Sequence, residues 1–297
     1  MTAARFRLFA KDLTPPVVWR LLKRTKDAVG SRRPEPEVAP APVEPPEWEY
    51  MPDGWDRPTK GWDVDAVVAS YRAKWPSYVQ ALHAPKPLGV YHEVVSGGTV
   101  EAHDREAHNM LVSFAYVLAL AARGKTRMSM LDWGGGLGHY FALSRAVLPH
   151  VELEYHCREL PKVAAAGREL LPEATFHTDD TCLDRRYDLV LASSSLQYAP
   201  DWRKMLGSLA TATAGYLFVT RVPLALHAPS FVVLQRAHRY GYETEYLGWV
   251  LNRAELLRAA DAASLELARE FLLFGQIDAE GAPERPVEHR GFLFRPV

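Results

Sequence analysis

Asp132 stands just before a run of glycines, in Met130-Leu131-Asp132-Trp133-Gly134-Gly135-Gly136-Leu137-Gly138-His139-Tyr140-Phe141. One carboxylate followed by four glycines in five positions suits a small polar ligand. Without Cβ atoms the turn lets a ligand lie against the backbone, and the carboxylate can hold a cationic group. The apolar residues before the turn read as the end of a strand. Those after it, Phe141 to Val147, read as a helix, whose first N–H groups have no partner within the helix itself. Strand, glycine turn and helix N-terminus together form a cofactor cradle. A tight turn without a ligand is the plainer reading, and four glycines directly behind an acid argue against it.

Glycine spacing separates two kinds of cradle. A dinucleotide fingerprint is G-x-G-x-x-G. Counted from Gly134 and Gly136, its third glycine would fall at His139, which disfavours a dinucleotide-dependent oxidoreductase. The pattern is instead Asp132-x-Gly134-x-Gly136-x-Gly138. That form resembles the first motif of S-adenosylmethionine-dependent methyltransferases. The resemblance implies that Asp132 holds the ammonium of the cofactor, directly or through water, and that Gly134, Gly136 and Gly138 lie close to its methionine end.

Further residues fit around such a ligand. Val151 to Cys157 reads as a second strand, ending at Arg158-Glu159. A carboxylate there can accept both hydroxyls of a ribose in charge-assisted bonds; the plain alternative for Glu159 is a solvated loop glutamate. Asp179 and Asp180 follow a short third strand, Ala174 to Thr178, and would border the adenine or cap the next turn. Tyr187 to Ala192 is a buried strand that runs into Ser193-Ser194-Ser195-Leu196-Gln197-Tyr198. Doubly wound sheets bind ligands outside the carboxyl ends of their strands, so Ser193 and Ser194 are expected on cofactor or substrate. No G-x-S-x-G elbow marks a serine nucleophile. Four histidines are candidates for a general base, since an unperturbed imidazole titrates near neutral pH. His227 comes first because it follows the fifth strand, then His108, His103 and His139; each also reads as an ordinary histidine. His103 and His108 are not at i, i+4 spacing, so no metal site is expected.

Alternating strands and helices must position these groups. An apolar run from Met110 to Ala122 is hydrophobic almost all round and predicts a buried helix before the glycine strand. Helices follow over Pro161–Leu171, Trp202–Ala212 and Arg253–Ala263, with a fifth strand over Tyr216–Thr220. Leu265–Phe274 and Gly291–Phe294 read as two strands, and the resemblance to methyltransferases implies that they close the sheet with the last strand antiparallel. The expected fold is α/β: a doubly wound, Rossmann-like, seven-stranded methyltransferase sheet with an N-terminal helical extension. Residues 223–250 interrupt the alternation with Phe231, Arg236, His238, Arg239, Tyr240, Tyr242, Tyr246 and Trp249. They form either an acceptor-side wall, whose aromatic platforms suit a sugar or other ring, or a helical subdomain whose aromatics simply pack.

Composition shifts divide the rest of the chain. Residues 1–33 carry nine Lys and Arg against Asp12 and Asp27. They predict a short helix that lies on an anionic membrane surface or packs on protein. Residues 34–53 hold seven prolines and several glutamates and read as an extended linker. Residues 54–124 read as a helical cap and 125–297 as the cofactor domain. Over all 297 residues the formal net charge is -1, so no global field favours nucleic acid. Two cysteines make no disulfide framework. No apolar run reaches membrane-spanning length and the start carries no signal peptide. A cytoplasmic setting is expected, with peripheral contact at the inner face of a membrane through residues 1–30.

Taken together, Leu131 to Gly138, Glu159-Leu160-Pro161, Ser193 to Tyr198, Arg221-Val222-Pro223, Tyr246-x-x-Trp249 and the early Leu13-Thr14-Pro15-Pro16 resemble a family of bacterial class I methyltransferases associated with surface-polysaccharide biosynthesis. The resemblance covers most of the chain except the proline-rich linker. It implies methyl transfer from S-adenosylmethionine to a hydroxyl of a sugar, glycan or related small molecule. The Glu-Leu-Pro turn is also similar to the Asp-Leu-Pro turn of small-molecule O-methyltransferases, where the acid binds ribose. A non-catalytic scaffold built on the same fold is the alternative, and the intact Asp132, glycines and Glu159 argue against it.

Overall fold

The computed structural model describes residues 45–85 and 102–297. The basic segment, most of the linker and the stretch 86–101 lie outside them. So does the membrane contact expected of residues 1–30.

Ten strands form one sheet: β1 (Trp48–Met51), β2 (Arg127–Trp133), β3 (Glu152–Arg158), β4 (Thr175–His177), β5 (Tyr187–Ser193), β6 (Thr213–Ala225), β7 (Phe231–Arg236), β8 (Glu245–Asn252), β9 (Leu265–Ile277) and β10 (Val287–Pro296). Six helices accompany them: α1 (Asp65–Leu82), α2 (Ala102–Ala121), α3 (His139–Val147), α4 (Pro161–Leu170), α5 (Trp202–Thr211) and α6 (Arg253–Ala262). Seven strands run in the order β4-β3-β2-β5-β6-β10-β9. The first five of these are parallel, while β10 is antiparallel to both β6 and β9. This is the seven-stranded sheet that the alternation and the resemblance to methyltransferases lead one to expect.

Residue period explains the layers. Successive strand side chains point to opposite faces. On β5, Leu189 and Leu191 pack with Met110, Leu111, Phe114 of α2 and Phe141 of α3. Val190 and Ala192 pack with Leu206 and Leu209 of α5 and Leu256 of α6. Helices on both faces make β5 apolar from Leu189 to Ala192, as buried parallel strands are. The first glycine turn therefore emerges at the carboxyl edge of a rigid, doubly covered sheet.

Three further strands sit outside the expected seven. The insertion after β6 is a β-hairpin, β7 pairing antiparallel with β8, and not a helical subdomain. Its return strand joins β6 in parallel through Leu224–Leu251 and Ala225–Asn252. Trp48–Met51, placed by composition in the linker, instead form β1 and pair with Gln235 to Val232 of β7. Arg236 secures that edge, donating to the carbonyl of Pro46 and the carboxylate of Glu49. Of the cap region, α1 and α2 are helical and the residues between Gly54 and Val64 are irregular. Among the described residues no helix is long and apolar enough to cross a membrane.

Candidate functional site

The turn after β2 is shaped by its glycines. Gly134, Gly136 and Gly138 have φ of 80°, 61° and 88°, a region side chains with Cβ avoid. Gly138 caps α3, its carbonyl accepting from the N–H of Phe141 and Ala142. A Cβ on Gly134 would lie 2.5 Å from Ser195 Cβ, so the end of β5 closes tightly over the turn.

Asp132 lies beneath this turn, 0% exposed. Tyr155 donates to its Oδ2 at 2.6 Å, while Oδ1 is buried with no hydrogen-bond partner among the described residues. Burial pushes its carboxyl from 3.8 up to about 7, against the Tyr155 bond and with the Glu159 charge adding to the rise. A folded-state value above the unfolded one gives stability that is fully present below about pH 4 and lost as pH rises through about 7. Each pH unit in that window is worth about 1.4 kcal/mol per proton. Asp132→Asn, which mimics the neutral acid, is therefore expected to be near neutral in ligand-free stability at pH 4 and stabilising at pH 8. Urea unfolding at both pH values checks this; an equal effect at both would show that Asp132 does not titrate between them.

A cavity of about 280 Å³ opens at the carboxyl ends of β2, β3 and β5. Trp133, Gly134, Glu159, Ser194 and Ser195 line it from the sheet side, and Trp62 and Tyr71 cover it from the cap. Glu159 closes the end at β3. Its Oε1 accepts from Gly136 N at 2.9 Å and its Oε2 from Leu160 N at 2.6 Å, at the start of α4. Burial raises its carboxyl, and those two backbone N–H groups work in the opposite direction. Each oxygen keeps a further lone pair for a ligand hydroxyl. Ser195 Oγ and Trp62 Nε1 are buried without hydrogen-bond partners among the described residues, and both belong to cavity-lining side chains. Polar groups left open around a concave space mark a ligand site.

The other residues singled out by sequence are spread around this cavity. Ser193 is bonded to Tyr140, Oγ to hydroxyl oxygen at 2.8 Å. Ser194 accepts from Gln197 Nε2 at 3.1 Å, and Gln197 also donates to the carbonyl of Arg221. Asp179 caps a short 3-10 turn, accepting from Thr181 N at 3.1 Å, and does not line the cavity. Asp180 reaches the cavity only through Arg158, whose Nε donates to it at 2.9 Å. His227 is exposed in the loop after β6, its backbone N–H held by Glu284 at 2.8 Å, and it does not line the cavity. The strand β6 runs on to Ala225, five residues past Thr220, which faces Ser193 of β5. His139 is buried among Tyr71, Trp75 and Tyr78. His108 is half-buried on α2 with its Nδ1 unpartnered among the described residues. The side chain of His103 lies outside the described residues.

His289, which the sequence did not single out, stands at the same edge beside Glu106 of α2. His289 Nδ1 lies 2.5 Å from Glu106 Oε1, an ion-pair contact off the line of an N–H···O bond. Burial would raise the Glu106 carboxyl, but His289 beside it, with Arg221 and Arg239 further off, holds it down to about 2. His289 faces Pro223 across the β10–β6 ladder. Because β10 is antiparallel, its beginning lies where β6 ends, at the ligand-binding edge. That topology was the available signal: a residue at the start of an antiparallel last strand returns to the carboxyl edge of the sheet.

The strand order, the antiparallel β10 and the glycine turn after β2 define a Rossmann-like methyltransferase fold. The chain belongs to the family described as "Methyltransferase domain", whose model matches residues 103–270. It is an S-adenosylmethionine-dependent methyltransferase. No curated protein matches it. Among solved structures it is similar to 1,6-didemethyltoxoflavin-N1-methyltransferase of Burkholderia thailandensis, at 14% identity over 82% of this chain and 94% of that one, with a TM-score of 0.45. It is also similar to an S-adenosylmethionine-dependent methyltransferase of Clostridium acetobutylicum, at 10% identity over 63% and 90%, with a TM-score of 0.42.

Proposed function

We propose that this methyltransferase acts on a hydroxyl of a sugar, glycan or related small molecule. The observation that carries the reading is the pairing of two sites along one sheet edge. The cavity at β2, β3 and β5 lies on one side, and the Glu106–His289 pair at β6 and β10 on the other. S-adenosylmethionine brings an already activated methyl on a sulfonium. Glu159 would hold the ribose hydroxyls, and the glycine turn with Asp132 beneath it the amino-acid end. Asp179 and Asp180 flank the adenine side in this reading. The remaining task is to align a hydroxyl and remove its proton. His289 would take that proton while Glu106 holds the ring and balances the charge that forms, as the third member of a catalytic triad does. A polar, paired base suits a hydroxyl acceptor, and the resemblance to the surface-polysaccharide family supports a sugar.

Two measurements test this. Calorimetry is expected to show binding of S-adenosylmethionine by the purified protein and weaker binding by Asp132→Ala. Labelled-methyl transfer into glycan and small-metabolite fractions, followed by mass spectrometry, is expected to yield an alkali-stable methyl ether. A labelled amine or carbon product would overturn the hydroxyl reading, and absence of binding would overturn the donor.

A further inference from the structure

We propose that Trp62, with Tyr198 at its edge, forms a cation-selective wall that favours the charged sulfonium of S-adenosylmethionine over the neutral thioether of S-adenosylhomocysteine. The inference rests on the cofactor reading above and deepens it. Trp62 lies outside residues 103–270, the span the family model matches.

Direction comes from the cavity's chemistry. Among its lining residues Glu159 is the one acid, at the β3 end. A ribose held there leaves the sulfur to point toward the β5 end, where Ser194, Ser195 and Tyr198 stand. No carboxylate lines that end to balance a positive charge. A sulfonium has no N–H or O–H to donate, so it cannot be recognised by strong hydrogen bonds. An aromatic face attracts a cation of this kind through the ring quadrupole. Trp62 and Tyr198 both line the cavity and pack edge to face, with ring centroids 5.1 Å apart at 64°.

The wall is built rather than incidental. Tyr246 stacks on Trp62 at 3.9 Å and 23°, and Tyr242 lies at 5.8 Å. The loop that carries Trp62 is pinned to the insertion: Gly61 N donates to the Glu245 carbonyl at 3.1 Å, and Thr244 Oγ1 donates to the Gly61 carbonyl at 2.6 Å. These contacts hold the indole in place before any ligand arrives, so little ordering cost falls on binding. The aromatics of the insertion thus serve the donor pocket, by fixing Trp62. A wall selective for charge lets go of the product once the methyl has left.

Selectivity is a difference of affinities, so two ligands are read on the full-length protein. In calorimetry, Trp62→Leu is expected to weaken S-adenosylmethionine about 5–30-fold, the range of a desolvated cation–π contact, and S-adenosylhomocysteine by less than about twofold. Sinefungin, an analogue with an ammonium group near the sulfonium position, should follow the charged ligand. Trp62→Phe, which keeps a weaker face, should fall between and serves if the leucine variant fails to melt cooperatively. Equal losses for both ligands, or none for either, would overturn the cation-selective wall alone. Absence of binding of both by the wild-type protein would overturn the cofactor reading as well.

Discussion

Gly135→Ala is expected to abolish measurable S-adenosylmethionine binding and to lower the melting temperature. A Cβ at this position would lie 2.4 Å from Asp132 Oδ2, 2.5 Å from its Cγ and 2.9 Å from Cys157 Sγ. None of these atoms can move aside. Asp132 is fully buried and tied to Tyr155 at 2.6 Å, and Cys157 is 0% exposed in the packed face beneath α3. The turn itself must lift, which carries Gly134 and Gly136 out of the cavity floor and breaks the Gly136 N to Glu159 bond. Overpacking of this kind costs about 1–3 kcal/mol in stability. Losing the turn's fit to the ligand should weaken binding by about 100-fold or more. Gly207→Ala is the control. Nothing lies within 4 Å of its added Cβ on α5, so it should be neutral or stabilise by up to about 1 kcal/mol. Wild-type affinity in Gly135→Ala would show that this turn is not the cradle.

The parts legible in the sequence were those specified locally. The glycine turn forms from a short run of adjacent residues, and β5 declares itself through an unbroken apolar stretch bounded by polar residues. Glu159 was legible because strand, turn and acid follow each other directly. What escaped depends on distant partners. Trp48–Met51 are extended because Val232 to Gln235 offer them a ladder; in sequence they are four residues in a stretch rich in proline and glutamate. The hairpin β7–β8 carries aromatics and arginines that obscure its alternation, and its side chains find their purpose only against Trp62 and Trp55. Tyr242 and Tyr246 are 2% and 3% exposed, so they build the cap rather than face an acceptor directly. The choice of His227 followed from assuming that β6 ends at Thr220. The strand continues to Ala225, so His227 lies in the loop two residues beyond its end.

His289→Ala is expected to lower kcat about 10²–10⁴-fold, the usual worth of a general base, while the dissociation constant of S-adenosylmethionine stays within about twofold, since His289 does not line the donor cavity. Its place on β10 is two strands from Ser193, roughly 10 Å across the sheet, and three residues further along, since His289 faces Pro223 while Ser193 faces Thr220. Glu106 is a positioning residue in this arrangement. With its carboxyl held at about 2, it stays ionised at every pH where turnover would be measured, so the acid limb of the pH–rate profile cannot be its own titration. Glu106→Gln keeps the size of the side chain but removes the charge that steadies an imidazolium forming next to it. It should lower kcat less than His289→Ala and shift the acid limb of the profile, a change that a purely structural contact would not produce. His108→Ala separates the two histidines near the start of α2. If it alone abolishes turnover while His289→Ala leaves kcat intact, the proton leaves through His108 and the Glu106–His289 pair only braces α2 against β10.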